Sequence, residues 1–179
     1  MNKLELRKNA KTIRKNLNID EISYKIAAKI EKLQEFENSR HILLFYPTQY
    51  EINLLSLCEK YCGQKQFYLP KVRGENLVIC PFECGTPLKI SQYNIFEPCG
   101  RPISPQTVDF AIIPCLCADK RGYRIGYGGG FYDRFLPRLK ENCVKIIPVP
   151  QKLLFDEVPT DTFDIAADYV VTEQTLALN

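Results

Sequence analysis

Two stretches at the start of the chain carry apolar residues with a helical period. Residues 3–17 present an apolar stripe that consists of Leu6, Ala10, Ile13 and Leu17. A basic stripe runs beside it and consists of Lys3, Arg7, Lys11 and Arg14. Asn18 and Glu21 have the spacing of a capping box. They open a second predicted helix, whose apolar face is formed by Ile22, Ile26, Ile30 and Leu33.

After residue 40 the pattern changes to short apolar runs bounded by proline and glycine. The runs that suit buried strands are 41–46, 66–69, 77–82, 109–114, 145–149 and 169–172. Further helices are predicted at 54–61 and 131–139, whereas 83–106 is predicted to be irregular. Strands separated by helices predict a three-layer α/β/α fold with a mostly parallel sheet of about six strands. No repeat or linker divides the chain, so we expect one domain, residues 1–179.

Composition agrees with one globular domain. Of the 179 residues, 45% are hydrophobic and 25% are charged, and the net charge is only +3. So small a charge argues against a nucleic acid partner. The charged N-terminus lacks the apolar core of a signal peptide, and no apolar run approaches the roughly 20 residues needed to cross a bilayer. We therefore expect a cytoplasmic monomer without a membrane partner.

The chain has eight cysteines, which we expect to be reduced and mostly buried, as is usual in the cytosol. Cys58 with Cys62, and Cys80 with Cys84, could be drawn as a metal site. Their spacing is not CxxC, however, and the one histidine, His41, lies far away in the sequence. Nothing around the cysteines supports a catalytic Cys/His pair.

Residues 125–134 read IGYGGGFYDR and place four glycines within five positions. Glycine permits positive φ and removes side chains, so that backbone N–H groups can converge on an anion. The predicted helix that follows would add its positive N-terminal dipole. We interpret the run, flanked by Arg124 and Arg134, as a phosphate-binding loop; the alternative is a tight turn that needs glycine. It is neither a P-loop nor GxGxxG, because Phe131 stands where the last glycine would fall.

Charged residues near this loop have two interpretations each. Asp133 lies in the first turn of the predicted helix, where it either complements the dipole or holds Mg²⁺, with Asp168 as a possible partner. Lys3 and Arg7 project from one helix face, which is either solvated or closes on phosphates.

These motifs together resemble the 5-formyltetrahydrofolate cyclo-ligase family, also called methenyltetrahydrofolate synthetase, over almost the whole chain. The longest match is 114–134, PCLCADKRGYRIGYGGGFYDR, where members read close to PGLAFD, a short gap, then G, R and LGYGGGYYDR. Shorter matches are 3–7, 46–52, 67–71, 97–98, Asp164 and Asp168. The chain departs from the family at Cys115 and Ala118, which replace glycine and phenylalanine, and at Asn94, where a glycine is common.

The resemblance implies ATP- and Mg²⁺-dependent cyclisation of 5-formyltetrahydrofolate to 5,10-methenyltetrahydrofolate, with release of ADP and phosphate. The formyl oxygen would be phosphorylated, and N10 would then attack. Asp133 and Asp168 would hold Mg²⁺, and no residue is assigned as a catalytic acid or base. The implied ATP contacts are Lys3, Arg7, Arg124, Ile125, Gly126, Tyr127, Gly128, Gly129, Gly130, Phe131 and Tyr132. The implied folate contacts are Tyr46, Glu51, Tyr127, Gly128, Gly129, Gly130 and Phe131.

Two other functions stay open at this point. One is a non-catalytic relative that binds folate, nucleotide or RNA, although a pure binding protein has no need for a full set of phosphate and metal contacts. The other is an ATP-dependent enzyme that activates a different amide or formyl oxygen. Exchange of Glu51 for Gln distinguishes this enzyme from a cyclo-ligase, because it should impair recognition of a pterin and have little effect on another substrate.

Overall fold

The computed structural model describes residues 1–178 and is built around a seven-stranded sheet with the order β12-β11-β9-β6-β1-β2-β3. The strands are β1 (His41–Leu43), β2 (Gln66–Arg73), β3 (Asn76–Phe82), β4 (Leu88–Ile90), β5 (Phe96–Pro98), β6 (Phe110–Ile112), β7 (Cys117–Asp119), β8 (Arg124–Ile125), β9 (Val144–Pro148), β10 (Leu154–Phe155), β11 (Tyr169–Val171) and β12 (Leu176–Leu178). The helices are α1 (Lys3–Arg14), α2 (Ile19–Ile30), α3 (Gln34–Asn38), α4 (Leu55–Lys60) and α5 (Phe131–Phe135).

The five inner strands of the sheet are parallel, and the edge strands β3 and β12 are antiparallel to their neighbours. Two apolar clusters cover the two faces. One includes Leu6 of α1 and Phe135 of α5. The other includes Ile26 of α2, Phe36 of α3 and Leu57 of α4. The predicted α/β fold with a mostly parallel sheet is therefore confirmed, with seven strands in place of about six.

Several element boundaries differ from the prediction for local reasons. Helix α1 ends at Arg14, and its N-terminus has a capping box of Asn2 and Glu5 that the sequence pattern did not single out. The predicted cap of α2 is present, because the Asn18 side chain accepts a hydrogen bond from the Glu21 N–H at 3.3 Å. Helix α5 stops at residue 135 and continues as a 3₁₀ turn, Leu136–Arg138, because Pro137 cannot donate to the helical ladder.

Strand β2 runs through Pro70 to Arg73, although proline was predicted to end it. Strand β1 pairs with β2 only as far as Tyr68, so the missing N–H of Pro70 faces a side on which no strand pairs with this part of β2. The segment 83–106 is also less irregular than predicted, since β4 and β5 form a hairpin there. Strands β10, β7 and β8 form a further small sheet that was not predicted. Such two- and three-residue strands are too short to show periodicity.

The carboxyl ends of β1 and β6 lie side by side in the sheet. Loops that leave this edge carry residues 44–54 and 113–116, and ligands of open α/β sheets bind at such edges. Within residues 1–178, no helix combines the length and the hydrophobicity needed to cross a membrane.

Candidate active site

A cavity of about 710 Å³ opens at this edge of the sheet. Its wall includes every residue predicted above to contact ATP or folate, together with Asp133. Helix α1, the end of β1, the glycine loop, the β4–β5 hairpin and the segment around Asp161 and Asp164 all contribute to it. One cavity therefore joins the residues predicted for the two substrates.

The glycine loop follows β8 and is held from both sides. Arg7 donates its Nε–H to the Gly126 carbonyl at 2.9 Å, and Arg134 donates to the Gly129 carbonyl at 2.9 Å. Gly128 has φ +103°, which a residue with a side chain rarely adopts. Gly129 is needed for space, because a Cβ there would lie 2.8 Å from the Phe131 ring. The five residues of α5 form a shorter helix than predicted, which leaves a smaller dipole at the loop.

Lys3 and Arg7 do not form a solvated face, since both reach the cavity. The Lys3 ammonium donates to Asp161 at 2.7 Å and to Asp164 at 2.6 Å. Partial burial disfavours the charged ammonium, but the two hydrogen bonds and the charges of these acids outweigh it and raise the pKa of Lys3. Lys3 therefore stays a cation at the mouth of the site.

Arg124 and Asp133 form an ion pair in the cavity wall, with 2.5 Å between Nη2 and Oδ1. The Arg124 side chain is 5% exposed and that of Asp133 is 34% exposed, so the carboxylate faces the cavity more than the guanidinium does. Strand β8 places Arg124 immediately before the loop, and α5 places Asp133 immediately after it.

Asp168 is absent from the wall of this cavity, so the structure does not bring together the predicted metal pair of Asp133 and Asp168 there. Asp168 precedes β11, so it lies at the amino ends of the parallel strands, whereas the cavity lies at their carboxyl ends. Its carboxylate accepts a hydrogen bond from the Lys145 N–H at 2.7 Å. The aspartates that the fold brings to the cavity wall are Asp133, Asp161 and Asp164.

The residues of the wall fit Mg²⁺. In the part of the chain that the structure describes, no three metal-binding side chains form a cluster. Magnesium bound with a nucleotide, however, usually needs one or two carboxylates and completes its shell with phosphate oxygens and water. Asp133 and Asp164 would supply these carboxylates.

Glu51 is buried, with 6% of its surface exposed, and its carboxylate is held from two sides. One oxygen accepts hydrogen bonds from the N–H of Thr48 at 2.7 Å and from its hydroxyl at 2.6 Å. The other oxygen accepts from the Tyr127 hydroxyl at 2.6 Å. Burial, with the nearby Glu51 charge, raises the pKa of Tyr127 far above its ordinary value, so the phenol remains a donor.

Aromatic rings line the rest of the cavity. Tyr46 packs on Phe96 with 5.0 Å between ring centroids, and Tyr93 meets Phe131 edge to face at 5.5 Å. Asn94 has φ +57°, a left-handed conformation that asparagine tolerates, which explains how it can replace a glycine of the family. Cys115 and Ala118, the other two departures, are buried in the core.

Tyr132 carries the one buried side-chain polar atom without a hydrogen-bond partner among residues 1–178. The ring lines the cavity, and burial raises the pKa of its hydroxyl.

Sequence reasoning assigned no role to three residues that shape the site. Thr48 donates twice to Glu51, and its position three residues before that acid was the available signal. Glu97 is buried and accepts a hydrogen bond from the Val72 N–H at 3.0 Å. Arg14 is buried behind the cavity at 3% exposure, which its place in a basic stripe did not suggest.

All eight cysteines are free thiols. Five are buried, as predicted for most of them, and Cys62, Cys84 and Cys99 are exposed. Burial raises the pKa of the Cys58, Cys117 and Cys143 thiols to about 12. These three are therefore unreactive apolar side chains of the core.

Comparison with known proteins identifies the family of the chain. The sequence model of the 5-formyltetrahydrofolate cyclo-ligase family matches residues 1–173. The 5-formyltetrahydrofolate cyclo-ligase of Haemophilus influenzae is 29% identical over 143 residues, which cover 74% of this chain and 75% of the relative. A probable cyclo-ligase of Schizosaccharomyces pombe is 26% identical and covers 90% of this chain and 88% of its own.

Solved structures give the same result. The NMR structure of Aquifex aeolicus 5,10-methenyltetrahydrofolate synthetase superposes with a TM-score of 0.88 at 33% identity, covering 99% of this chain and 93% of that one. A 5,10-methenyltetrahydrofolate synthetase from Mycoplasma pneumoniae shares the fold, with a TM-score of 0.79 at 23% identity and coverage of 97% and 99%. The family match over nearly the whole chain confirms the resemblance seen in the sequence: the chain belongs to the 5-formyltetrahydrofolate cyclo-ligase family of enzymes.

Proposed function

We propose that the protein converts 5-formyltetrahydrofolate to 5,10-methenyltetrahydrofolate in a reaction that requires Mg²⁺, consumes ATP and releases ADP and phosphate. The observation that carries the proposal is that a single cavity contains both a cation-lined glycine loop and a buried, accepting carboxylate between aromatic walls. The first suits a triphosphate and the second suits a pterin.

The phosphate half is formed by Lys3, Arg7, Arg124 and the N–H groups of the glycine loop. All three side chains lie in the cavity wall, and their charge would offset that of a triphosphate. Mg²⁺ held by Asp133 and Asp164 would neutralise charge on the β- and γ-phosphates. The Lys3 ammonium donates to both Asp161 and Asp164, so it could give up one of these hydrogen bonds for one to a phosphate oxygen and keep the other.

The folate half is centred on Glu51. The amino and ring N–H groups of a pterin are donors, and a carboxylate is their natural partner. The Glu51 oxygen that accepts a hydrogen bond from the Tyr127 hydroxyl accepts no other, so it keeps a lone pair for a pterin N–H group. Tyr46, Phe96, Tyr93 and Phe131 supply apolar surface for the rings.

The chemistry needs alignment more than acid or base catalysis. The formyl oxygen attacks the γ-phosphate and ADP leaves; N10 then adds to the activated carbon and gives up its proton to water, and phosphate departs. The chain contributes by holding the two reactants in one enclosed cavity and by presenting fixed positive groups where charge develops.

The test is a near-ultraviolet assay for the methenyl product, with ATP added or withheld. We expect an ATP-dependent absorbance rise that is lost in Asp133→Asn and strongly reduced in Glu51→Gln. A matched control is Asp156→Asn, because Asp156 pairs with Lys120 and lies outside the cavity wall. No product despite measurable ATP binding would reject the proposed reaction and favour a binding protein or another acyl substrate. The cytoplasmic location and the monomeric state stay predictions.

A further inference from the structure

Arg14 is a buried cation that binds backbone carbonyls. It lies in the last turn of α1 and is 3% exposed. Its guanidinium donates to the carbonyl of Cys115 at 2.6 Å, to that of Leu116 at 3.1 and 3.2 Å, and to that of Tyr50 at 3.1 Å. No carboxylate of residues 1–178 pairs with it.

A buried cation that binds only carbonyls lowers the stability of the fold. Its presence therefore indicates a role other than stabilising the attachment of α1. A buried charge without an opposite charge loses its hydration, and carbonyl dipoles compensate it only in part. An apolar side chain of similar length would attach α1 to the sheet at lower cost. The fork of Arg14, however, reaches two different loops at once, which an apolar side chain cannot hold in a fixed register.

The two loops are those that leave the sheet edge at the cavity. Cys115 and Leu116 follow β6, while Tyr50 precedes Glu51 in the loop after β1. Tyr50 has φ +68°, a strained conformation for a residue with a side chain. The hydrogen bond from Arg14 fixes the carbonyl of this residue, which is the peptide group that leads into Glu51.

A closed chain of contacts results. Arg14 holds Tyr50, Glu51 accepts from Tyr127, and the neighbouring Gly126 accepts from Arg7, which is on the same helix as Arg14. Helix α1 thus binds the glycine loop through Arg7 and the Glu51 loop through Arg14. These two side chains are seven residues apart and lie on one face of the helix.

We propose that Arg14 is a positioning residue for the folate: it fixes the Tyr50 peptide and thereby the direction in which Glu51 presents its carboxylate to the pterin. The proposal rests on the proposed function, since it needs Glu51 to bind the pterin. Arg14 itself touches no reactant, because it is absent from the cavity wall.

The test compares Arg14→Lys with the wild type in the methenyl assay. Lysine keeps the charge but loses the fork, and we expect KM for the folate to rise about tenfold, with kcat and KM for ATP changed less than about twofold. Lys65→Met is the matched control, because the Lys65 ammonium also binds three carbonyls, those of Phe36, Glu37 and Ser39. It lies outside the cavity wall, so its loss should leave KM for the folate unchanged.

A double-mutant cycle with Glu51→Gln separates positioning from general loosening. If Arg14 acts through Glu51, Arg14→Lys raises KM less than about twofold when Gln already occupies position 51. Additive effects, an equal rise in KM for ATP, or the same result for Lys65→Met would overturn the proposal. Calorimetric binding of 5-formyltetrahydrofolate gives the same comparison without turnover. Wild-type protein that binds the folate but makes no product would reject the proposed reaction alone, and no folate binding would reject both.

Discussion

The Gly129→Ala variant tests the reason for the glycine run. A Cβ at position 129 would lie 2.8 Å from Cδ2 and 2.9 Å from Cε2 of Phe131, closer than real Cβ atoms approach. The ring cannot simply rotate away, because it meets Tyr93 edge to face at 5.5 Å and has the Arg134 guanidinium 5.4 Å from its centroid. One of these contacts must be lost, or the loop must shift.

The size of the effect follows from these contacts. Forcing an extra methyl group into packed surroundings costs about 1–3 kcal/mol. Loss of the edge contact and of the cation–π contact would each account for about 0.5–1 kcal/mol of this. We therefore expect the free energy of unfolding to fall by about 1–2 kcal/mol, since the loop is partly exposed and can relax. A displaced Phe131 ring would also alter the aromatic wall of the cavity and raise KM for the folate.

Gly126→Ala is the matched control, because no atom lies within 4 Å of its built Cβ and its φ is not positive. Its free energy of unfolding should change by less than about 0.5 kcal/mol, or rise slightly through the stiffer unfolded chain. Urea denaturation followed by far-ultraviolet circular dichroism suits a chain with no tryptophan. Equal midpoints for the two variants would show that the ring does not require Gly129, and would refute the steric argument.

Three further predictions follow from the same geometry. Asp164→Asn should abolish the Mg²⁺-dependent activity while Asp168→Asn retains it, as steady-state rates against Mg²⁺ concentration would show; the reverse result would restore Asp168 to the site. Asp109 is partly buried, which raises its pKa, but hydrogen bonds from Lys140 and from two backbone N–H groups outweigh this and lower the pKa below 3.8. The ionised Asp109 therefore stabilises the fold above pH 3.8, and this contribution is lost as the pH falls further. In Asp109→Asn, the urea midpoint should consequently fall less steeply with decreasing pH over that acid range than it does in the wild type. Thiol titration of the native protein at pH 8 should modify the exposed cysteines quickly and the other five only on unfolding, whereas fast reaction of more than three would contradict the burial.

Much of this fold could be predicted from local signals. The capped start of α2 and the buried parallel strands depend on residues close together in sequence, and both were predicted close to their places. The small sheet of β7, β8 and β10 could not be predicted, because its strands of two or three residues gain their hydrogen bonds only after the chain returns from residue 154. The loop that binds Arg7 therefore begins from a strand that local patterning does not reveal.

The choice between Asp164 and Asp168 shows a second limit. Both acids lie near the C-terminus and four residues apart, and both match the family, so spacing alone does not distinguish them. The difference is topological: Asp168 starts β11 at the far edge of the sheet, whereas Asp164 belongs to the segment that crosses back to the cavity and binds Lys3. Which end of the sheet a residue lies at depends on how all the strands are arranged, and the identity and spacing of two residues do not reveal that arrangement.

The basic stripe of α1 gives the physical reason why side-chain roles resist prediction even where the helix is certain. Lys3, Arg7 and Arg14 are equivalent in the pattern, yet the first binds two carboxylates, the second a glycine-loop carbonyl and the third a buried set of carbonyls. Each partner comes from a residue more than 35 positions away. Burial differs along the stripe as well, because Lys3 and Arg7 are half-buried, Lys11 is exposed and Arg14 is buried. Leu6 and Ala10 pack the helix against the core, and this tertiary packing, which the helical pattern does not contain, decides which cation lines the cavity and which one binds the loops behind it.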